Sequence, residues 1–428
     1  MDCKIENAYI EILETELMPA LGCTEPGAIA YATAKAKELL QGVPDHIDIL
    51  CSGNIVKNVK GVIVPNSGGM RGIEAAAILG VLADCSEDEL EVLQSITPED
   101  QAKARELVGT GFCKTALAEE ISGLYIQVIA TKGEGEAEVV VKDHHTNIVF
   151  LRENDKVLYD ERIDDAEDEI DYEILNVRDI IEFANTVDVE KIAPVIRPQI
   201  ECNTAIAREG MSKDYGAAVG RTIIETEPDS VKTKARAFAA AGSDARMGGC
   251  SMPVIVNSGS GNQGITMSVP VVIYAQEMGL PEEKLIRALV VSNLISVHVK
   301  KYIGALSAFC GAVTAGMAAG TAITYLKGGG YEEIGMTIIN ALGSLGGVIC
   351  DGAKASCAAK IASSVEWGFV AGEMAFKGRT YPFGEGIVTD DLEKTIQNIG
   401  RVAREGIHDT DLVILKIMLE DENRGSFL

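Results

Sequence analysis

The sequence predicts an α+β protein, with an antiparallel sheet in the N-terminal half and an all-helical C-terminal domain rich in alanine and glycine. Residues 124–159 alternate apolar and polar side chains in short β-branched runs, as antiparallel strands with one face in water do. Beyond about residue 192, nearly every segment has helical apolar spacing and ends in a glycine-rich loop. Because 428 residues are many for one hydrophobic core, we place two domains at 1–190 and 191–428.

The first half begins with two predicted helices, 5–17 and 26–40, and Cys23 lies in their connection. Because Pro26 suits a first helical position, we expect Cys23 at a helix N-terminus, where the helix dipole stabilises a thiolate. The acidic run 160–171 is expected to be a solvated surface connection, since like charges at that density repel. The other predicted elements are β runs at 46–51 and 61–64 around a polar loop at 52–58, helices at 72–82 and 98–108, and strands at 124–130, 137–141, 146–151 and 157–159.

Composition excludes two classes of partner. The chain has 38 Lys and Arg against 64 Asp and Glu, and its net charge of −26 repels phosphate backbones and anionic lipids, so we expect no nucleic acid and no membrane partner. Residues 302–326 are uncharged but mostly small, which favours a buried core helix over a membrane span. The first residues lack the pattern of a signal peptide, and the ten scattered cysteines are typical of free thiols in a reducing cytoplasm.

A glycine-rich loop and a lone arginine are the first candidate binding elements. Residues 259–264 match the dinucleotide pattern G-x-G-x-x-G, but Pro270 interrupts the next apolar stretch and no second strand follows. The loop 257–263 is rich in backbone and amide donors, which suits either a bound carboxylate or a plain turn. Arg246 stands in a region poor in charge, so we expect a carboxylate partner, either Asp244 or a ligand.

The adjacent residues His144 and His145 do not predict a metal site. Neighbouring residues of a strand point to opposite faces, so the two imidazoles could not share one ion. We expect structural roles for both, and with five histidines in the chain, none in a metal-ligand spacing, zinc has little support.

Three cysteines, Cys310, Cys350 and Cys357, lie in Ala/Gly-rich and nearly uncharged sequence. Three thiolates are one short of the four that complete an iron–sulfur cluster, which would leave one iron free to act as a Lewis acid. Cys350 precedes an Asp-Gly turn signal and a predicted helix at 353–365, so the turn can fold back and bring Cys350 to Cys357 on the second helical turn. Spacing alone favours three inert buried thiols, since no short C-x-x-C pattern is present.

Four strings in the chain carry a family resemblance: Gly-Cys-Thr-Glu-Pro at 22–26, and the segments 243–249, 257–265 and 350–357. Together they resemble the L-cysteine desulfidase family of bacteria and archaea, whose core is similar to the α-chain of iron–sulfur L-serine dehydratase. The likeness extends over essentially the whole chain. It implies an oxygen-labile [4Fe-4S] cluster with one iron that has no protein ligand, and conversion of L-cysteine to sulfide, ammonia and pyruvate without pyridoxal phosphate.

The resemblance also implies residue roles. The serine dehydratase pattern of cluster ligands falls on Cys310, Cys350 and Cys357, although the interval between the last two is shorter here. Cys23 is then either a ligand in place of Cys357 or the catalytic base, and we favour the base because a helix N-terminus favours the thiolate. The predicted substrate-binding residues are Asn54, Lys57 and Asn58, as a wall over the substrate, and Arg246, Ser258, Gly259, Asn262 and Gln263, around its carboxylate.

Three other functions stay open at this point. The first is L-serine dehydratase, with hydroxide as the leaving group. The second is a pyridoxal-phosphate β-eliminase, which would need a Schiff-base lysine. The third is a non-catalytic cluster-bearing sensor or amino-acid-binding protein, although no basic face for DNA is recognisable. The expected partner is a small molecule, L-cysteine or L-serine, and a homodimer is one open option for the assembly.

Overall fold

The computed structural model describes residues 2–84, 86–119, 121, 123–162, 170–304 and 306–422. A 3-10 helix at Glu89–Ser95 lies in the N-terminal half. The other elements described there are α1 (Cys3–Glu16), β1 (Pro19–Leu21), α2 (Thr24–Leu39), β2 (His46–Ser52), α3 (Gly53–Val59), α4 (Gly72–Leu82), α5 (Pro98–Leu107), β3 (Cys113–Ala118), β4 (Tyr125–Lys132), β5 (Gly135–Lys142), β6 (Ile148–Glu153) and β7 (Lys156–Asp160).

Strands β2 to β7 form one sheet in the order β3-β2-β4-β5-β6-β7. Strands β2 and β3 are parallel, and the other neighbours are antiparallel. In β4, Ile126, Val128 and Ala130 are buried while the residues between them are more exposed, so alternate side chains fill the core. Helices α2 and α4 pack on each other and on the sheet, which covers its apolar face.

From residue 170 onwards, the described part of the chain is helical except for one short strand. Shorter helical turns lie at Tyr172–Ile174 (3-10) and Val402–Gly406 (π). The elements are α6 (Val177–Thr186), α7 (Val189–Ser212), α8 (Val219–Thr226), α9 (Val231–Met247), β8 (Pro253–Ile255), α10 (Gly261–Glu277), α11 (Glu282–Ile303), α12 (Gly311–Leu326), α13 (Tyr331–Leu345), α14 (Cys357–Ala375), α15 (Leu392–Arg401) and α16 (His408–Glu422).

Helix α12 lies within the uncharged stretch 302–326 and is buried. Its small residues let another backbone approach closely: a Cβ on Gly316 or Gly320 would lie less than 3 Å from backbone atoms of Ser364 or Gly368 on α14. Such contact requires glycine, because any side chain would force the two helices apart. Of the helices described, none is both long enough and apolar enough to cross a bilayer.

Several contacts join the two halves of the chain. Helix α1 contributes Tyr9, Ile12 and Leu13 to the core of the helical half. Strand β1 pairs antiparallel with β8, with Leu21 opposite Pro253. This pairing places the turn that contains Cys23 beside the end of α9.

The predicted α+β class is confirmed, and the strands predicted over 124–159 correspond to β4–β7. Three local predictions are wrong: residues 53–59 form helix α3 instead of a polar loop, the run 61–64 contributes only an isolated bridge, and Pro270 lies inside the continuous helix α10. Most of the acidic run 160–171, residues 163–169, lies outside the described residues.

Candidate active site

Four long helices begin at one small cavity. Cys23, Ser260 and Cys310 are the N-cap residues of α2, α10 and α12, and Cys357 is the first residue of α14. All four residues line a cavity of about 100 Å³, which we name the inner cavity. Because a helix N-terminus presents unsatisfied N–H groups and the positive end of the dipole, this arrangement favours anions and thiolates.

Cys310 and Cys350 are neighbours although they are far apart in the chain. Their segments pair as a short antiparallel bridge, in which Cys310 N–H donates to the carbonyl of Val348 at 3.1 Å and Cys350 N–H to that of Ala308 at 2.7 Å. The two thiols are close enough to shift each other's pKa, which lies well above its usual value for Cys310 and below it for Cys350. The pairing therefore sets both sulfurs at the N-terminus of α12.

Cys357 completes the group of three thiols. It begins α14 instead of lying on its second turn, as the sequence predicts, and its sulfur lies 3.8 Å from the carbonyl oxygen of Gly352. The neighbouring thiol of Cys310 and the charge of Lys57 lower the pKa of Cys350 to about 6, whereas burial raises the pKa of Cys357. The Cys350 thiol therefore ionises more readily than an ordinary cysteine.

Within the described part of the chain, no three His, Cys, Asp or Glu side chains are placed to hold a metal ion. An iron–sulfur cluster needs a wider spacing of its ligands than a single ion does, because each thiolate binds a different iron of the cluster. The relevant observation is then the set of possible ligands: three thiols, of which Cys310 is buried and Cys350 and Cys357 are half-buried, line one cavity.

The thiol of Cys23 is bound to a carboxylate. It donates to Glu25 Oε2 at 3.1 Å, and Asn58 Nδ2 donates to Glu25 Oε1 at 2.8 Å. Burial and the charge of Glu25 raise the pKa of Cys23 well above its usual value, so the expectation that the helix N-terminus favours the thiolate is wrong. Burial would raise the pKa of Glu25 as well, but His145, Cys23 and Arg246 hold it below its usual range.

Glu25 and His145 are functional candidates that the sequence reasoning missed. His145 Nε2 lies 4.0 Å from Glu25 Oε1, and both side chains line the inner cavity. The argument that put His144 and His145 on opposite faces of a strand does not apply, because both lie in the turn between β5 and β6. Glu25 could have been predicted as a site residue, because it belongs to the motif at 22–26. No local sequence pattern predicts a role for His145 in the site.

Four buried polar atoms of the inner cavity have no hydrogen-bond partner among the described residues: Asn58 Oδ1, His145 Nε2, Asn262 Oδ1 and Gln263 Oε1. The orientation of the Asn58 amide is fixed, because its nitrogen donates to Glu25. Buried polar atoms without partners cost free energy. The cavity is therefore suited to a polar ligand that donates hydrogen bonds.

Two buried cations, Arg246 and Lys300, also line the inner cavity. Arg246 Nε donates to the carbonyl of Gly22 at 2.7 Å. Asp244, the internal partner considered for Arg246, instead accepts a hydrogen bond from Gly220 N–H at 3.0 Å. Among the described residues, neither cation forms an ion pair with a carboxylate. Lys300 is a further residue that the sequence reasoning missed.

A second cavity of about 820 Å³, the outer cavity, adjoins the inner one. Lys57 lines it, is buried, and forms an ion pair with Asp411 of α16. The other carboxylate oxygen of Asp411 accepts a hydrogen bond from Ala308 N–H at 2.7 Å, so α16 is tied to the segment that bears Cys310. The shared wall between the two cavities is formed by His145, Ser258, Gly259, Lys300, Leu306 and Ser307.

Most of the predicted site residues are brought together. Asn54 and Lys57 lie on α3 and line the outer cavity. Those that line the inner cavity are Cys23, Asn58, Arg246, Ser258, Gly259, Asn262, Gln263, Cys310, Cys350 and Cys357.

Comparison with known proteins gives the chain a family. A family model described as serine dehydratase alpha chain matches residues 87–416, which include the three clustered cysteines and His145 but not Cys23 or Glu25. The chain is 48% identical over 411 residues to a UPF0597 protein of Lachnoclostridium phytofermentans, covering 96% of this chain and 99% of the relative. It is 47% identical over 430 residues to a UPF0597 protein of Treponema denticola, covering 98% of this chain and 100% of the relative. The chain therefore belongs to the serine dehydratase alpha chain family.

Proposed function

We propose that this protein is an iron–sulfur-dependent lyase that converts L-cysteine and water to pyruvate, ammonia and hydrogen sulfide. The observation that carries the proposal is the meeting of three thiols and four helix N-termini at one cavity. Family membership supports a lyase of the dehydratase type. The choice of L-cysteine rests on the resemblance of residues 22–26 to the desulfidases.

Cys310, Cys350 and Cys357 would hold a [4Fe-4S] cluster. The donor set fits, because thiolates are the usual ligands of such clusters and the charge of Lys57 favours ionised sulfur at Cys350. When bound, a cluster with one iron free of protein ligands supplies a Lewis acid for the leaving group. A reducing cytoplasm would suit such a centre.

The pair Cys23–Glu25 is the proposed proton acceptor. Glu25 is ionised and already accepts a hydrogen bond from the Cys23 thiol at 3.1 Å. The Cys23 sulfur takes the α-proton of the substrate while its own proton passes to Glu25, so no free thiolate has to form beforehand. The electrons of the broken C–H bond form the carbon–carbon double bond, and the C–S bond breaks to release sulfide.

Polar groups of the inner cavity would orient the amino acid. Asn58 Oδ1 is an unpaired acceptor beside ionised Glu25, which suits the α-ammonium group. Arg246 and the N-terminus of α10 supply positive potential for the enolate-like charge that develops in the reaction. The product, aminoacrylate, hydrolyses in water to pyruvate and ammonia.

L-Serine is the second candidate substrate, because the matching family model describes a serine dehydratase. The same residues would remove the same α-proton, and hydroxide would leave in place of sulfide. Both amino acids give pyruvate, but only L-cysteine gives sulfide.

The test is an anaerobic preparation in which iron and acid-labile sulfide are counted and both amino acids are assayed. We expect about four irons per chain, with pyruvate and sulfide formed from L-cysteine. Pyruvate from L-serine alone would replace the proposed substrate. An iron-free protein with an aldimine absorbance would favour the pyridoxal-phosphate mechanism, and bound cluster without turnover of either amino acid would favour the sensor.

A further inference from the structure

We infer that Lys300 is the residue that binds the α-carboxylate of the substrate. The inference rests on the proposed function and adds a specificity residue to it. Lys300 lies in the last turn of α11, its side chain is 7% exposed, and it lines the shared wall between the inner and outer cavities. Among the described residues it has no side-chain hydrogen bond and no ion pair.

Every other cation near this wall already has a partner. Lys57 pairs with Asp411, and Lys360 pairs with Asp351 at 2.5 Å. Lys301, the next residue along α11, donates to the carbonyl of Tyr172 at 3.0 Å and lies 3.4 Å from a carboxylate oxygen of Glu173. Arg246 is bound to a backbone carbonyl and lies near ionised Glu25. Among the described residues, Lys300 is thus the buried lysine of this wall whose side chain has no hydrogen-bond or ion-pair partner.

A buried charge without a partner is costly, so a lysine in this state indicates an anion supplied from outside the protein. The sulfurs of Cys310 and Cys350 are near Lys300, but in the proposed function their charge is directed to iron. An ammonium head with three N–H donors suits carboxylate oxygens. The hydroxyl-bearing residues Ser258 and Ser307 line the same wall and could add donors.

The position of Lys300 between the outer and inner cavities agrees with a role in binding the substrate carboxylate. A bound cluster would occupy the part of the inner cavity near the three thiols, so the substrate would lie towards the shared wall. A small amino acid that enters from the outer cavity would then reach the cluster with its side chain while its carboxylate stays at Lys300. Lys300 would select α-amino acids that carry a free carboxylate.

The experiment measures binding of two thiol probes that lack the full substrate structure, to cluster-loaded protein under anaerobic conditions. The probe 3-mercaptopropionate has a carboxylate but no amine, and cysteamine has an amine but no carboxylate. Replacing Lys300 by methionine should weaken binding of 3-mercaptopropionate by roughly 10- to 100-fold, the usual effect of removing a charged hydrogen-bond partner. Cysteamine should bind within about threefold of its wild-type affinity, because Lys300 has no carboxylate to contact in that probe.

The matched control is Lys301→Met, which removes the same charge one residue away and should leave both affinities unchanged. Lys300→Gln keeps a polar head if the apolar variant folds poorly, and it should show the same selective loss. Equal weakening of both probes, or loss of iron from the Lys300 variants, would mean that Lys300 serves the thiols and would overturn the inference. Unchanged affinity for 3-mercaptopropionate in protein that releases sulfide from L-cysteine would overturn this inference alone. Wild-type protein that forms no product from either amino acid would overturn the proposed function and the inference with it.

Discussion

Replacing Cys23 by alanine tests the proposed proton acceptor most directly. The thiol lies 3.1 Å from Glu25 and outside the proposed group of cluster ligands, so the variant should retain its iron and still bind L-cysteine. Loss of a positioned proton acceptor usually slows a reaction by roughly 10²- to 10⁴-fold. We therefore expect turnover to fall by that factor, equivalent to about 2.7–5.5 kcal/mol of barrier.

The assay is sulfide release at saturating L-cysteine under anaerobic conditions, with iron and acid-labile sulfide measured on the same samples. Cys51→Ala is the matched control, because it removes an equally buried thiol from the core around the sheet and should leave turnover within about twofold. Glu25→Gln keeps the shape of the side chain but removes its charge, so it should slow turnover as much as Cys23→Ala. The double variant should be no slower than either single variant, since residues that act as one unit are not additive.

Three results would count against this reasoning. Loss of iron and of the iron–sulfur absorbance in Cys23→Ala would make Cys23 a cluster ligand. Unchanged turnover with a full complement of iron would show that Cys23 is neither the proton acceptor nor a cluster ligand. Losses that add in the double variant would refute the transfer of a proton from Cys23 to Glu25.

Three further predictions concern the cysteines, the packing and the pH dependence. Cys350→Ser should lose both iron and activity, because a hard oxygen ligand replaces thiolate poorly. The control Cys250→Ser, in the hydrophobic core around the sheet, should keep both. Gly320→Ala should lower thermal stability by about 1–3 kcal/mol through overpacking, whereas Gly347→Ala, with no atom within 4 Å of the added Cβ, should have little effect. Burial raises the pKa of Asp244 from 3.8 to about 6, so between these values the folded protein holds a proton that the unfolded chain has lost, and wild-type stability falls as pH rises. Asp244→Asn should therefore gain stability over wild type from about pH 4 to about pH 6, by up to about 3 kcal/mol in urea titrations, and a difference independent of pH would contradict this.

The sheet was predictable where one face is apolar and the other is wet. Strand β4 has the alternating burial that the sequence predicts, whereas β5 is buried over five consecutive residues and β7 is exposed throughout. The β-branched runs and the turns between them were the signal for these other strands. Strand β3 left a weaker signal, because its middle residues Lys114, Thr115 and Ala116 are exposed and its pairing with β2 is parallel and non-local. Strands β1 and β8 also left little signal in the sequence, because each is only three residues long and they pair with each other far apart in the chain.

The sequence was enough to predict which residues belong to the site, but not how they contact each other in three dimensions. The cysteines and the polar loop were visible because their composition differs from that of ordinary helices. Lys57 was predicted within that polar run, but its ion pair with Asp411 was not, because Asp411 lies in the last described helix, far away in the sequence. His145 reaches the cavity from a turn whose position depends on the sheet, so only tertiary structure connects it with Glu25.

Electrostatics explains why the fold brings so many helix starts to one point. Three thiolates and a substrate carboxylate would place several negative charges in a buried volume, and each would be costly without nearby positive potential. The N-termini of α2, α10, α12 and α14 supply that potential from backbone dipoles that need no side-chain reorganisation. Lys57, Arg246 and Lys300 add full charges, yet Lys57 and Arg246 are partly neutralised by Asp411 and Glu25. Lys300, on the wall shared with the outer cavity, is therefore placed to meet the carboxylate of a zwitterionic amino acid that enters from that side.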